Sequence, residues 1–364
     1  MNNNKHNITS AQFVTYITSA QIGFGILFLP SSLAKECGHD GWLAALIAGF
    51  ISILFIILIM KLLYRYGEKS IFQITTLLYG KYLGILLNFI FLIYLCSMAA
   101  LVARLFIEFI NITVLRLTPD IVISIFIIAP TIYMSFLGLK AVSRFTSLLP
   151  STYIITLLFF LLLYKHVRLT FIMPIGETGI PNITRGMLKA SFSLLGIELI
   201  GVIYPHITDK ENSKKYIIIS GLFTSFFYSI LVFLMTSIAG EEKLKYILLP
   251  FYNIATSFKI PIIDRIDLIF IILWFPVMGG TVRAYFFSAY HLIDTTFNFN
   301  NKKSPLFIFT LIIFFIGRIP KNINSLLSYL DAVNIFGLGI NCFFILSLLL
   351  SLINKRGVVE KNDS

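Results

Sequence analysis

Runs of roughly 17–25 mostly apolar residues, the length an α-helix needs to cross the hydrocarbon of a bilayer, recur along the whole of this chain. Lipid offers no partner to backbone polar groups, so each run must close its hydrogen bonds internally as a helix. The pattern predicts an all-α polytopic membrane protein with ten spans, over 9–34, 41–63, 83–115, 120–139, 146–165, 187–207, 216–240, 264–292, 305–319 and 330–353. The ninth is short and bounded by prolines. Composition agrees, with 57% hydrophobic and 13% charged residues and a mean hydropathy of +0.89, where a soluble domain carries about 25% charged residues.

A net charge of +12 would point to nucleic acid in a soluble protein. Here the cationic residues fall in alternate loops, among them Lys61 to Lys81, Lys140 and Arg144, Lys210 to Lys215, and Lys355, Arg356 and Lys361. About fifteen Lys/Arg then lie on one side against about ten on the other, which reads as topology, with both termini cytoplasmic and no nucleic-acid partner. The first span is too long for a signal-peptide core and no small-residue cleavage site follows it, so it is expected to stay.

The largest loops, 166–186 and 241–263, hold about twenty residues each, too few for a soluble domain, so function must lie in the bundle. The chain is expected to form one transmembrane domain over 1–364. Five spans in 9–165 and five in 187–353 flank the outer connection 166–186. An odd number per half sends the halves through the membrane in opposite directions, the arithmetic of an inverted repeat.

The first span of each half carries the same kind of interruption. Residues 23–30, GFGILFLP, set Gly23 and Gly25 at mid-span and close on Pro30; residues 196–205, GIELIGVIYP, set Gly196 and Gly201 at mid-span and close on Pro205. Gly costs roughly 1 kcal/mol against Ala in a helix interior. Unwound backbone is tolerated in a membrane only where it lines a cavity or is buried in protein, so matched interruptions point to a central binding site. The alternative is close helix packing at small residues.

Ionisable groups inside spans need reasons. Glu198 lies inside the interrupted sixth span; it is expected to be protonated, to pair with a cation or ligand amine, or to hydrogen-bond a neighbouring helix. Arg104 and Glu108 are i, i+4 neighbours and can neutralise each other. Arg283 is expected to snorkel to the cytoplasmic surface. Asp264, Arg265 and Asp267 open the eighth span, where carboxylates suit a helix N-terminus. Nothing here supports catalysis or calls for a cofactor: His6, His39, His166, His206 and His291 are scattered over loops and helix ends, Cys37, Cys96 and Cys342 form no metal-ligand spacing, and no Gly-rich phosphate loop with Lys occurs.

Taken in order, AQIGFGILFLP (20–30), DGW (40–42), RLTFIMPIGETGIPNITRG (168–186), SFSLLGIELIGVIYPHI (191–207) and DRIDLIFIILW (264–274) resemble the spore germination permeases. These are the B-type subunits of endospore germinant receptors, within the amino acid–polyamine–organocation transporter superfamily. The resemblance runs nearly end to end, and departs at Asp267, where the family more often carries Glu. It implies a LeuT-like 5+5 inverted repeat with helices 1 and 6 unwound at mid-membrane. It also implies a ligand pocket made by Gly23, Phe24, Gly25 and Ile26 from the first span, Glu198 and Leu199 from the sixth, and Thr281 with Tyr285 from the eighth. The implied role is sensing of a small nutrient, an amino acid or similar, in the spore inner membrane, with A-type and C-type receptor subunits as partners. A proton- or sodium-coupled amino acid transporter and a membrane scaffold with a vestigial pocket are the alternatives.

Overall fold

The structure, a computed structural model, describes residues 6–257, 266–297, 299 and 303–354. Asp264, Arg265, Lys355, Arg356 and Lys361, for which the sequence predicts capping and topological roles, lie outside these residues.

The described residues form helices α1 (Ser10–Gln21), α2 (Gly25–Cys37), α3 (Gly41–Tyr66), α4 (Ile71–Tyr79), α5 (Lys81–Thr113), α6 (Asp120–Leu137), α7 (Leu139–Thr146) and α8 (Leu149–Leu161). They continue with α9 (Gly179–Ala190), α10 (Ile200–Ile203), α11 (Lys210–Ala239), α12 (Glu241–Leu244), α13 (Pro250–Ser257), α14 (Ile266–Phe297), α15 (Lys303–Gly317) and α16 (Ile323–Ile353). Local signals start several of them. Thr9 and Gln12 form a reciprocal capping box at α1, and Ser70 and Gln73 form another at α4, each satisfying two N–H groups that a helix start leaves open.

Among the described residues, seven helical stretches are long and apolar enough to cross a membrane, and the bent pair Gly179–Leu194 and Ile197–His206 makes an eighth. The stretch Gly25–Tyr66 contains two limbs. A methyl on Gly41 would lie 2.9 Å from Leu33 Cβ, whereas eight residues of continuous helix would separate them by about 12 Å. The chain therefore reverses at Gly38, which takes φ 53. With α1 joined to α2, α3 separate, and the shorter apolar α15 included, each of the ten sequence spans has its helix or helix pair.

Hydropathy misplaces the ends where polar turns extend a span. α9 begins at Gly179, inside the expected 166–186 connection, and α16 begins at Ile323. Pro30 does not close its segment: α2 runs through it to Cys37.

The face of the bundle carrying 166–186, here the loop face, is held by the DGW motif. Asp40 accepts from the Gly176 N–H (2.9 Å), the Thr178 N–H (3.2 Å) and the Thr178 hydroxyl (2.7 Å). His39 bridges the Pro174 carbonyl (2.8 Å) and Glu241 (3.1 Å). Both partners are acceptors when Glu241 is ionised, so satisfying both requires an imidazole that donates from both nitrogens. At the opposite face, the start of α1 is stapled to the chain after α10. The Ile8 N–H donates to the His206 carbonyl (3.1 Å), the Thr208 N–H to the Ile8 carbonyl (3.0 Å), and the Ser10 N–H to Asp209 (2.6 Å).

Candidate ligand-binding site

The first break lies between α1 and α2. α1 stops at Gln21, whose carbonyl accepts from the Tyr228 hydroxyl (2.8 Å) and whose side-chain amide donates to the Leu194 carbonyl (3.0 Å). Farther along, the Trp274 indole donates to the Gly23 carbonyl (3.1 Å). The Ile22 N–H closes the last turn of α1 on Thr18, and the Leu27 N–H folds back to Phe24. Between them, the N–H groups of Gly23 and Phe24 have no acceptor among the described residues, and those of Gly25 and Ile26 close no turn back onto α1, although all four residues are buried. Buried N–H groups left this way are rare in native structures. Those of Gly25 and Ile26 belong to the first turn of a 13-residue helix, where N–H groups point out of the helix start and a positive dipole end favours an anion.

The second break lies at Leu195 and Gly196, between the turn that continues α9 and the short 3-10 turn Ile197–Leu199. Gly196 takes φ 116, open to Gly and strained for other residues. It sits against the end of α1: a methyl there would meet Ala20 Cβ at 2.9 Å and the Gln21 nitrogen at 3.1 Å. Gly201, in contrast, faces the Phe344 ring and Ile71, so its role is packing.

Glu198 is fully buried beside the second break. One carboxyl oxygen accepts from the Tyr94 hydroxyl (2.7 Å) and the Tyr285 hydroxyl (2.9 Å), and the other accepts from the Gly196 N–H (2.8 Å). Of the alternatives that the sequence leaves open for Glu198, this geometry realises the hydrogen bond to neighbouring helices, here α5 and α14. Tyr94 had no sequence signal beyond a polar aromatic in a long apolar helix.

Thr281 donates to the Ser19 carbonyl at 2.7 Å and closes on Gly23, where a methyl would lie 2.9 Å from Thr281 Cβ. Gly25 closes on Ser193, where a methyl would lie 2.5 Å from Cβ and 2.7 Å from Cα. Phe24, Ile26 and Leu199 are buried in the surrounding core. The structure thus brings Gly23 beside Thr281, and Glu198 beside Tyr285. Ser193 and Trp274, which sit in the motifs that carry the resemblance, complete contacts that linear spacing does not display.

Two expectations are corrected. Arg283 does not snorkel toward the cytoplasmic surface. Its guanidinium turns back along α14 to Gly279, as helix side chains do, and lies 4.1 Å from the centre of the Phe145 ring. It is 6% exposed. The histidines are not all scattered: His206 and His291 approach to 2.8 Å, with the His6 ring centre 5.1 Å from that of His291. Among the described residues no group of three is arranged to hold a metal. Arg104 and Glu108 pair at 3.0 Å as the sequence predicts, within a wider network that adds Asp120 and Arg318. Asp267 is buried in the first turn of α14.

Two interrupted helices, packed break to break inside an all-helical membrane bundle, define the LeuT-like fold. The solved structures agree on the fold. MhsT in complex with L-phenylalanine superposes with a TM-score of 0.68 at 17% identity, covering 95% of this chain and 89% of that one. Mhp1, a nucleobase-cation-symport-1 family transporter with bromovinylhydantoin bound, gives 0.62 at 10% identity, covering 91% and 75%.

The family model for spore germination proteins matches residues 7–326, and the chain belongs to that family. Among its relatives, Bacillus subtilis (strain 168) spore germination protein B2 is 25% identical over 334 residues, 90% of this chain and 91% of its own length. Spore germination protein A2 of the same organism is 25% identical over 363 residues, 97% and 98% of the two chains. Bacillus cereus spore germination protein GerQB is 29% identical over 261 residues, 71% of each.

Proposed function

We propose that this integral membrane protein is the nutrient-sensing subunit of a spore germinant receptor. It takes up a small amino acid or similar nutrient at the two breaks and passes a conformational change to A-type and C-type partner subunits. The observation that carries this reading is the buried break from Gly23 to Ile26, whose N–H groups close no turn onto α1 and which an amino acid carboxylate would satisfy. Thr281 and Tyr285 close the pocket from α14, and Glu198 acts by holding Tyr285, Tyr94 and the Gly196 turn in place. The role is binding and signalling, with no bond made or broken. The reading sets the protein in the spore inner membrane with both termini cytoplasmic, so that the loop face is the outer one.

The transporter-class neighbours favour one second reading, a proton- or sodium-coupled amino acid transporter. One experiment separates them. The purified chain is screened for thermal stabilisation by the twenty standard amino acids, and those that stabilise are tested for uptake into proteoliposomes with and without a proton or sodium gradient. Stabilisation without gradient-driven uptake supports the sensor. Gradient-driven uptake supports the transporter, and no stabilisation by any of them counts against both.

A further inference from the structure

On the flank of the bundle, α3, α16 and the second break enclose a crevice of about 50 Å³. Its walls are largely apolar, with Ile51, Leu195, Ile197 and Leu338 among them, but two polar side chains, Ser52 of α3 and Asn341 of α16, also line it. These two residues are 7% and 3% exposed. Among the described residues, neither Ser52 Oγ nor Asn341 Oδ1 has a hydrogen-bond partner. Other hydroxyls of the bundle donate to the carbonyl four residues back, as Thr131 does to Ile127 (2.6 Å) and Ser225 to Gly221 (2.7 Å). Ser52 does not, and a buried polar group left open in this way is costly. We propose that this crevice binds aliphatic alcohols dissolved in the bilayer, whose hydroxyl donates to Asn341 and accepts from Ser52 while the chain runs out past Ile51 into lipid.

The position of the crevice selects this chemistry. Ile51, at its rim, is 39% exposed, and Ser52 and Asn341 fall near the middle of α3 and α16, where the outer surface of the bundle meets hydrocarbon. Phospholipid head groups stay at the interface, and an ester carbonyl accepts but does not donate, so neither can serve Asn341 Oδ1 at this depth. A hydroxyl donates and accepts at once, and so serves Asn341 in either orientation of its amide. The volume exceeds the roughly 10–15 Å³ that a single water needs, leaving room for the slim head of such a molecule. Leu195 and Ile197 stand on either side of Gly196, whose N–H donates to Glu198, so an occupant braces the second break from the lipid side. The site is independent of what the first break binds.

The test uses the full chain in phospholipid nanodiscs, with an octanol that carries a diazirine on its chain as the photoreactive probe and mass spectrometry of the adducts as readout. Adducts are expected to gather on the crevice residues of α3, α16 and the second break. Octanol itself should compete about tenfold or more better than methyl octyl ether, which accepts a hydrogen bond but cannot donate one. Asn341→Leu should cut labelling of the crevice about tenfold or more. The same substitution should leave the unfolding temperature unchanged or higher, because an apolar side chain of like size replaces an open polar one. Ser52→Ala should weaken labelling by less, since the Asn341 acceptor remains. Adducts spread over the lipid-facing helices in proportion to exposure, equal competition by the ether, or wild-type labelling of Asn341→Leu would overturn the site. A lowered unfolding temperature of Asn341→Leu would show that a group of the chain already holds Asn341, and would overturn it too.

Discussion

Gly25 and Ser193 meet with no room for a Cβ: a methyl on Gly25 would lie 2.7 Å from the Ser193 Cα. Glycine at this position therefore does two things. It lets α2 close on the end of the α9 run, and without a Cβ it leaves the backbone at the start of α2 approachable.

Gly25→Ala is expected to destabilise the chain by about 1–3 kcal/mol, the usual cost of overpacking, and to abolish stabilisation by nutrient. Ser193→Gly in the same chain removes the Ser193 Cβ and hydroxyl but not the Cα, so it should recover part of the stability. Thermal unfolding of both variants checks this. Wild-type stability of Gly25→Ala would show that the contact is looser than the structure has it.

Thr281→Val keeps the shape and loses the donor to the Ser19 carbonyl, so it is expected to cost about 1 kcal/mol of stability. Thr281→Leu adds bulk against Gly23 and should change which amino acids act, or the concentration needed. Dose–response curves for spore germination at matched protein levels read the difference. Unchanged curves for both variants would remove Thr281 from the pocket.

Glu198→Gln replaces a two-oxygen acceptor with one oxygen and one NH₂ group, which cannot serve Tyr94, Tyr285 and the Gly196 N–H together. Loss of about 1–3 kcal/mol is expected, together with a weakened nutrient response. Tyr285→Phe should lose less stability, because two donors to Glu198 remain. A Glu198→Gln protein with normal unfolding temperature and normal response would make Glu198 a bystander.

His39 lies in the turn after α2, outside the spans. Burial opposes its charge, but the Pro174 carbonyl, the Glu241 carboxylate and nearby Asp40 outweigh it and raise the pKa above the ordinary 6.5. A raised folded value means that the stabilisation is full below about pH 6.5 and is lost as pH rises through the folded value. The unfolding temperature of the wild type should therefore fall on alkalinisation in that window, and His39→Gln should flatten the fall. An equal pH slope in both proteins would contradict the bridge.

The spans and both breaks were legible in the sequence because they depend on local properties. Apolar length dictates helices in lipid, and Gly23, Gly25 and Gly196 stand where a helix-former would otherwise be favoured. Thr281 and Tyr285 came from the resemblance alone. The partners of the breaks were not legible: Tyr94 meets Glu198 across 104 positions, and Trp274 meets Gly23 across 251. Such pairs are fixed by how helices pack, which hydropathy does not encode. Arg283 was misjudged for a related reason. Its depth could be read from the sequence, but its direction follows from the backward lean of helical side chains, and Phe145 then covers it. His6, His206 and His291 looked scattered because the ends of three distant segments bring them together.

The central claim is that the open N–H groups of the first break receive a carboxylate. It is tested most directly on chain labelled with ¹⁵N-glycine, with the Gly23 and Gly25 amide resonances assigned by substitution and followed as a stabilising amino acid is titrated. The account predicts that both resonances shift saturably, in step with thermal stabilisation, and that the amide form of the same amino acid leaves them in place. Saturable binding with both resonances unmoved would contradict it.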